Sequence, residues 1–196
     1  MTKKKECLTL SEAQTEMRSA FLGGFAGQLV SGLIWLTASW FSVYRSPVHG
    51  MIVLFFGSMF IFPLTQLTLR ILGRRAKVSD ENRLWALGSQ IAFIVPIDFL
   101  LVGAVILERQ LWFFPAVMII VGAHYLPFMT LYGMKLYGFL GILLILGGVT
   151  LALFGPALFS LGGWLTGGLL ILFAFIGRFI VIKEEAKSRF DERVGY

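Results

Sequence analysis

The sequence predicts an all-α integral membrane protein with six transmembrane helices, and three observations lead to this prediction. The 196 residues are 57% hydrophobic and 14% charged, with a mean hydropathy of +0.81. So little polar surface cannot cover the core of a water-soluble protein. The apolar residues form six stretches of about twenty residues or more, the length that crosses the hydrocarbon of a bilayer as a helix. The stretches are 20–44, 51–72, 84–107, 111–133, 136–154 and 157–182.

The third observation is the distribution of basic residues, which fall on alternate connections. Fifteen of the seventeen lysines and arginines lie at the chain ends or on connections that would share one side of the membrane. Only Arg45 and Arg109 would lie on the other side. Because short cytoplasmic loops are enriched in lysine and arginine, both termini are predicted to be cytoplasmic. One domain, 1–196, would then consist of three successive helical hairpins with short tails, 1–19 and 183–196.

The first predicted element is a polar lead-in, 8–19, that precedes the first stretch. Ser11 and Gln14 have the spacing of a capping box, which favours a short surface helix here. Three lysines precede this segment, but no uninterrupted apolar core with a cleavage site follows them, so a removable signal peptide is not expected. The first transmembrane helix is expected to serve as the targeting element.

The longest connection, 73–83, is rich in charge and is predicted to be cytoplasmic. Two interpretations stay open for it. It could rest on anionic lipid headgroups, or it could join the tail 183–196 in docking cytoplasmic proteins.

Prolines and small residues mark the interior of the later stretches. Pro63, Pro96, Pro115 and Pro127 each remove a backbone donor and free a carbonyl, so kinks that open space in the bundle are expected.

The pair Gly163 and Gly167 has small-xxx-small spacing, which lets helix backbones approach closely. This spacing favours packing within the chain, with a homo-oligomer through the same two glycines as the alternative.

Polar side chains at membrane depth are costly unless they find partners, and they are therefore the first candidates for function. Asp98 and His124 lie on the third and fourth stretches, which a very short turn joins, so a direct or water-mediated hydrogen bond between them is expected. Gln28, Gln66 and Gln90 lie closer to the cytoplasm, with Thr65 and Thr130 at a similar depth. The predicted pocket for a ligand or solute is lined by His124, Asp98, Gln28, Gln66, Gln90, Tyr125 and Trp35. The alternative is that these groups only hold the helices together.

The leading functional hypothesis is binding or permeation of a small solute in this pocket, linked to a proton on His124, since histidine titrates near neutral pH. The alternative is a non-catalytic membrane partner or scaffold. An intramembrane enzyme is the third possibility, but nothing in the sequence selects Ser89 as a nucleophile beside His124 and Asp98, so no catalytic residue is predicted.

Other chemistries find little support in the sequence. His124 and His49 are too far apart along the predicted topology to provide the ligands of a zinc site, so no metal and no cofactor are predicted. The basic residues lack interleaved aromatic residues, so no nucleic-acid partner is predicted. The expected partners are the lipid bilayer and a small-molecule ligand.

Two runs of residues carry a resemblance to a known family. They are Gly122, Ala123, His124, Tyr125, Leu126, Pro127 and Phe128, and Phe62, Pro63, Leu64, Thr65 and Gln66. Together they resemble a family of small bacterial multi-pass membrane proteins of unassigned function. The resemblance covers most of the chain and implies six helices in a bacterial plasma membrane, and it brings no established substrate.

Overall fold

The structure is a computed structural model that describes residues 8–74 and 76–195. Residues 1–7 of the predicted tail, Arg75 of the charged connection and Tyr196 lie outside the described residues. The described chain is helical, without a strand, and short 3-10 turns at Leu22–Gly24 and Gln110–Trp112 join some of its helices. The helices are α1 (Leu10–Phe21), α2 (Phe25–Tyr44), α3 (Pro47–Met59), α4 (Ile61–Ile71), α5 (Leu84–Glu108), α6 (Phe113–Tyr125), α7 (Phe128–Tyr132), α8 (Leu136–Phe154) and α9 (Leu161–Val194).

The helices have the length and composition of membrane-crossing segments, which confirms the all-α, membrane-compatible part of the prediction. Five stretches qualify singly, and α3 with α4 qualifies as a pair bent by 59°. The chain therefore has five candidate spans, or six if the bent pair is one span. The single stretches are Leu10–Tyr44, Leu84–Glu108, Gln110–Tyr132, Leu136–Phe154 and Leu161–Arg193.

Of the four prolines for which kinks were expected, two interrupt a helix. The break between α3 and α4 is at Phe60, three residues before Pro63, because the proline lacks an N–H and its ring crowds the carbonyl four residues earlier. Pro127 separates α6 from α7 for the same reason. Pro96 lies inside α5 without ending it, and Pro115 lies in the first turn of α6, where no intrahelical donor is needed.

Glycines bring the central helices together. A Cβ atom built on Gly32 in α2 would lie 3.0 Å from the carbonyl oxygen of Gly167 in α9, and one on Gly167 would lie 3.0 Å from the carbonyl of Gly32. In the same way, a Cβ atom on Gly122 in α6 would lie 2.8 Å from the carbonyl oxygen of Gly141 in α8, and one on Gly141 would lie 2.7 Å from the carbonyl oxygen of Gly122. Helix α9 packs more extensively on α2, and α8 on α6, than α8 and α9 pack on each other.

The pair Gly163 and Gly167 is used within the chain. A Cβ atom on Gly163 would meet Ser39 of α2 and, at 2.6 Å, the ring of Phe114. A Cβ atom on Gly167 would lie 2.7 Å from the side chain of Leu36. Packing within the chain is therefore the observed use of the spacing, and a homo-oligomer through these glycines stays a prediction.

The capping box of α1 lies two residues earlier in the chain than predicted. Thr9 and Glu12 form it: the backbone N–H of Thr9 donates to Glu12 Oε2 at 2.8 Å, and the N–H of Glu12 donates to Thr9 Oγ1 at 3.3 Å. The prediction of a box at Ser11 and Gln14 was wrong, because the helix already begins at Leu10 and both residues lie inside it.

Three consecutive left-handed residues separate α1 from α2. Leu22, Gly23 and Gly24 have φ values of 50°, 59° and 80°, a conformation that glycine adopts without steric cost. The hydroxyl of Tyr137 in α8 donates a hydrogen bond to the carbonyl of Gly23. The carbonyl that the interrupted helix leaves free is thus satisfied by a neighbouring helix.

Gly24→Ala should destabilise the protein more than Gly73→Ala, since both glycines have a positive φ but of the two only Gly24 is also crowded. A Cβ atom on Gly24 would meet the hydroxyl of Tyr137 and, at 3.2 Å, the ring of Tyr132, whereas one on Gly73 (φ 71°) has nothing within 4 Å. We expect a loss of about 1 kcal/mol in the free energy of unfolding for Gly73→Ala from backbone strain, and roughly 1–3 kcal/mol more for Gly24→Ala. Equal losses in detergent unfolding experiments would show that Tyr137 does not pack against this turn as described.

Candidate functional site

A buried amide without a partner in the protein lies on α2. The side chain of Gln28 is 3% exposed, and neither Oε1 nor Nε2 has a hydrogen-bond partner. An unsatisfied buried amide costs about 1–3 kcal/mol, and water cannot reach it freely in the hydrocarbon. The position therefore suits a bound molecule that offers both a donor and an acceptor.

Two other helices bring hydroxyl groups to this part of α2, one beside the Gln28 amide and one beside the preceding residue, Gly27. The hydroxyl of Tyr125 in α6 lies beside the amide, although the geometry falls short of a hydrogen bond. Thr65 in α4 lies against Gly27, where a Cβ atom would be 3.6 Å from Thr65 Oγ1, and this hydroxyl is also buried without a partner. The bare backbone at Gly27 lets α4 approach at this level.

His124 adds an imidazole next to Tyr125. Its ring faces the backbone of Ile91 in α5, and its Nδ1 is buried without a hydrogen-bond partner. The centre of the ring lies 5.8 Å from that of Tyr125 and 5.1 Å from that of Phe128. A ring N–H that donates to the Ile91 carbonyl leaves Nδ1 as an acceptor.

Aromatic rings close the side of this site nearest the Leu22–Gly24 turn. The ring of the buried Tyr137 lies 5.9 Å from Tyr125, 5.4 Å from Phe128 and 5.5 Å from Tyr132, measured between centres. Because the Tyr137 hydroxyl is bound to the Gly23 carbonyl, this ring has a fixed orientation. We call Gln28, Thr65, His124 and Tyr125 the interior site.

Asp98 is not part of the interior site. It lies on α5 seven residues beyond Ile91, about 10 Å along the axis at helical rise, and it is half-buried. In the described part of the chain, its carboxyl group makes no hydrogen bond or ion pair. The expected contact between Asp98 and His124 is not present in the structure.

The remaining predicted residues lie around the interior site at different exposures. Gln66 is half-buried on α4 next to Thr65, whereas Gln90 is exposed on α5. Trp35 is buried two turns beyond Gln28 on α2, with its ring 5.9 Å from that of Phe114. Of the predicted pocket residues, the structure therefore gathers Gln28, Tyr125 and His124.

A second polar region contains charged side chains and joins the connection 73–83 to helices α1 and α9. Arg74 donates two hydrogen bonds to Glu185 in α9, at 2.8 Å to Oε1 and 2.6 Å to Oε2, and Ser19 of α1 donates to Oε1 at 2.9 Å. The Arg74 guanidinium holds the pKa of Glu185 below its usual 4.5, against the opposing effect of burial, and Glu185 raises the pKa of Arg74. Glu185 was not among the residues predicted from the sequence; its one signal is an acidic side chain just beyond the last apolar stretch.

The same connection binds α1 through a carboxylate. Glu16 accepts hydrogen bonds from the Ser79 backbone N–H at 2.7 Å, from the Ser79 hydroxyl at 3.0 Å and from Asn82 Nδ2 at 2.7 Å. Asn82 is buried and also donates to the carbonyl of Ala13 at 3.0 Å. Much of the polarity of this connection thus stabilises the fold itself.

Within residues 8–74 and 76–195, no group of three or more His, Cys, Asp and Glu side chains lies close enough to hold a metal ion. The chemistry of the interior site is that of an amide, two hydroxyls and an imidazole.

Residues 10–180 match the model of a family described as "Family of unknown function (DUF7010)". The match runs from α1 into α9 and includes every residue of the interior site. No curated protein and no solved structure matches the chain.

A double-mutant cycle of Arg74→Gln and Glu185→Gln should show coupling of about 1–2 kcal/mol, because the pair is bidentate and partly buried. Since the pKa of Glu185 is lowered in the folded state, its contribution is fully present above the unfolded pKa of about 4.5. It is lost as the pH falls through the lower folded pKa. Unfolding in detergent measures both effects. Additive losses, or a Glu185→Gln variant with the same acid dependence as the wild type, would contradict this account of the pair.

Replacement of Gln28 by leucine tests whether its amide has a partner in the native protein. If no molecule binds there, Gln28→Leu should raise the free energy of unfolding by about 1–3 kcal/mol, because it removes an unsatisfied amide. We expect no such gain, since a bound solute or water would satisfy the amide. Gln90→Leu, on the exposed side of α5, is the control for the same chemical change. A clear stabilisation specific to Gln28→Leu would count against a bound partner.

Proposed function

This chain belongs to the family of unknown function DUF7010, and from that starting point we propose that it binds a small uncharged polar solute inside the membrane and lets it permeate. The observation that carries the proposal is the Gln28 amide, buried at 3% exposure with neither polar atom bonded to the protein. A bundle that needed Gln28 only for cohesion would be expected to bond it across helices.

We further propose that the chain crosses the membrane six times with both ends in the cytoplasm. Arg74 binds Glu185 of α9, and Ser79 binds Glu16 of α1. The bent pair α3 and α4 thus returns the chain to the end at which α1 lies, as one crossing would. The excess of basic residues at this end supports its cytoplasmic location, here in a bacterial plasma membrane.

The class of solute follows from the groups that the interior site offers. The Gln28 amide both donates and accepts, the hydroxyls of Thr65 and Tyr125 do the same, and neutral His124 accepts at Nδ1. None of these groups carries a permanent charge. They suit a neutral molecule with several hydrogen-bonding groups, such as a polyol or an amide.

His124 makes the proposed permeation sensitive to protons. A neutral imidazole offers an acceptor at Nδ1, but a protonated one offers only donors and adds a charge at membrane depth. Protonation should therefore hinder the passage of a neutral solute, and His124→Gln should abolish that pH dependence while it preserves a hydrogen-bonding group.

The proposal is tested with the full chain in proteoliposomes, with glycerol and urea as probes and stopped-flow light scattering as the readout. We expect the wild type to speed entry of at least one probe over protein-free liposomes. Gln28→Leu should return the rate to that of the protein-free liposomes, because it removes the amide that replaces solvent around the solute, whereas Gln90→Leu should keep the wild-type rate. Equal rates for wild-type and protein-free liposomes with both probes, or equal losses in the two variants, would refute permeation through this site.

Docking of cytoplasmic proteins through 73–83 and 183–196 stays the alternative. The contacts of Arg74, Ser79 and Glu185 within the chain occupy part of the surface that it would need, and we therefore favour the solute site.

A further inference from the structure

We infer that a crevice between α1, the charged connection and the end of α9 binds the phosphate group of an anionic lipid. The crevice has a volume of about 400 Å³. Its lining includes Thr15, Arg18, Arg74, Glu184, Ser188 and Arg189. It is separate from the interior site, and the inference does not rest on solute permeation.

Arg18 supplies the most enclosed cationic group of the crevice. Its side chain is 17% exposed, and its Nη1 and Nη2 donate to the Tyr132 carbonyl at 2.7 Å and to Thr15 Oγ1 at 3.2 Å. Its Nε is buried and lies 3.1 Å from Glu184 Oε2, but the N–H is not aligned for a hydrogen bond. Since the side chain of Glu184 is 52% exposed, it can turn into water and yield Nε to a better-placed anion.

The opposite wall of the crevice is also available to an anion. Arg189 is 69% exposed and lies 3.6 Å from Glu185 Oε2, a loose pair of little energetic value. The neighbouring Ser188 is exposed and offers a hydroxyl. Arg74 already compensates the charge of Glu185. The crevice is lined by three arginines and two glutamates, so its lining keeps one excess positive charge. Arginine forks match phosphate oxygens in geometry as well as in charge.

The depth of the crevice favours a lipid over a free ion as the source of the phosphate. Val181, which lines it, is the second-last residue of the apolar stretch 157–182. Ser19, on the other wall, directly precedes the stretch 20–44. The crevice thus lies where the hydrocarbon ends and headgroups begin, and basic pockets at this level recognise anionic headgroups.

The test uses the full chain in detergent, titrated with phosphatidylglycerol or with phosphatidylcholine of the same acyl chains, and native mass spectrometry reports bound lipid. Ser188→Glu places a negative charge in the crevice, whereas Ala186→Glu places the same charge on an exposed position of α9 outside it. We expect Ser188→Glu to weaken phosphatidylglycerol binding about five-fold and Ala186→Glu less than two-fold. Phosphatidylcholine should bind more weakly than phosphatidylglycerol.

A second matched pair, Thr15→Glu inside the crevice and Ser11→Glu outside it on α1, keeps the test decisive if the first pair folds poorly. Equal weakening within both pairs would overturn the inference, since it would indicate general surface charge. A third arm adds inorganic phosphate as a competitor. Displacement of phosphatidylglycerol by inorganic phosphate at comparable concentration would overturn the assignment to a lipid, whereas resistance to displacement would support it.

Discussion

Close contact of helix backbones at glycines organises this bundle. At Gly32 and Gly167, and again at Gly122 and Gly141, each helix presents a bare carbonyl where a side chain would otherwise stand. In a membrane, where apolar side chains gain little from leaving lipid, such close packing is a main source of helix association. Tight contacts between α2 and α9 and between α6 and α8 also leave little space for disordered water around the polar groups between these helices. An unpaired amide on α2 therefore calls for an explanation.

The polar residues fall into two chemically different regions. The interior site contains uncharged groups, as expected where the desolvation of an ion is expensive. The charged residues meet instead beyond the apolar stretches, where Arg74 and Glu185 join α9 to the connection that follows α4. Water and headgroups reduce the cost of charge there. The proposed solute site is thus separate from the charged contacts that join the helix ends.

The sequence predicts the long apolar helices well, but it predicts the direction of a side chain on them poorly. Gln28 and Gln90 were both expected toward the cytoplasmic side, but of the two only Gln28 is buried. Helix α2 packs on several helices, whereas α5 buries few residues, among them Ile91 and Val102. Asp98 also lies on α5 and, like Gln90, is not buried. Periodicity on a nearly uniform apolar helix carries almost no information about the direction in which it faces.

Contacts between distant segments were the other part that the sequence could not supply. The bond between Arg74 and Glu185 joins residues 111 positions apart, and many carboxylates could have served Arg74 equally well by sequence alone. The breaks at Pro63 and Pro127 were predictable from local chemistry, whereas the left-handed turn at Leu22–Gly24 depends on a hydroxyl from α8.

The central claim is that the Gln28 amide binds a molecule that is not part of the protein. An experimental density map of the full chain in lipid nanodiscs, at a resolution that shows ordered water, tests this most directly. The account predicts non-protein density within hydrogen-bond distance of the Gln28 amide, beside the hydroxyl of Tyr125. Direct hydrogen bonds from the amide to Tyr125 or Thr65, with no such density, would contradict it.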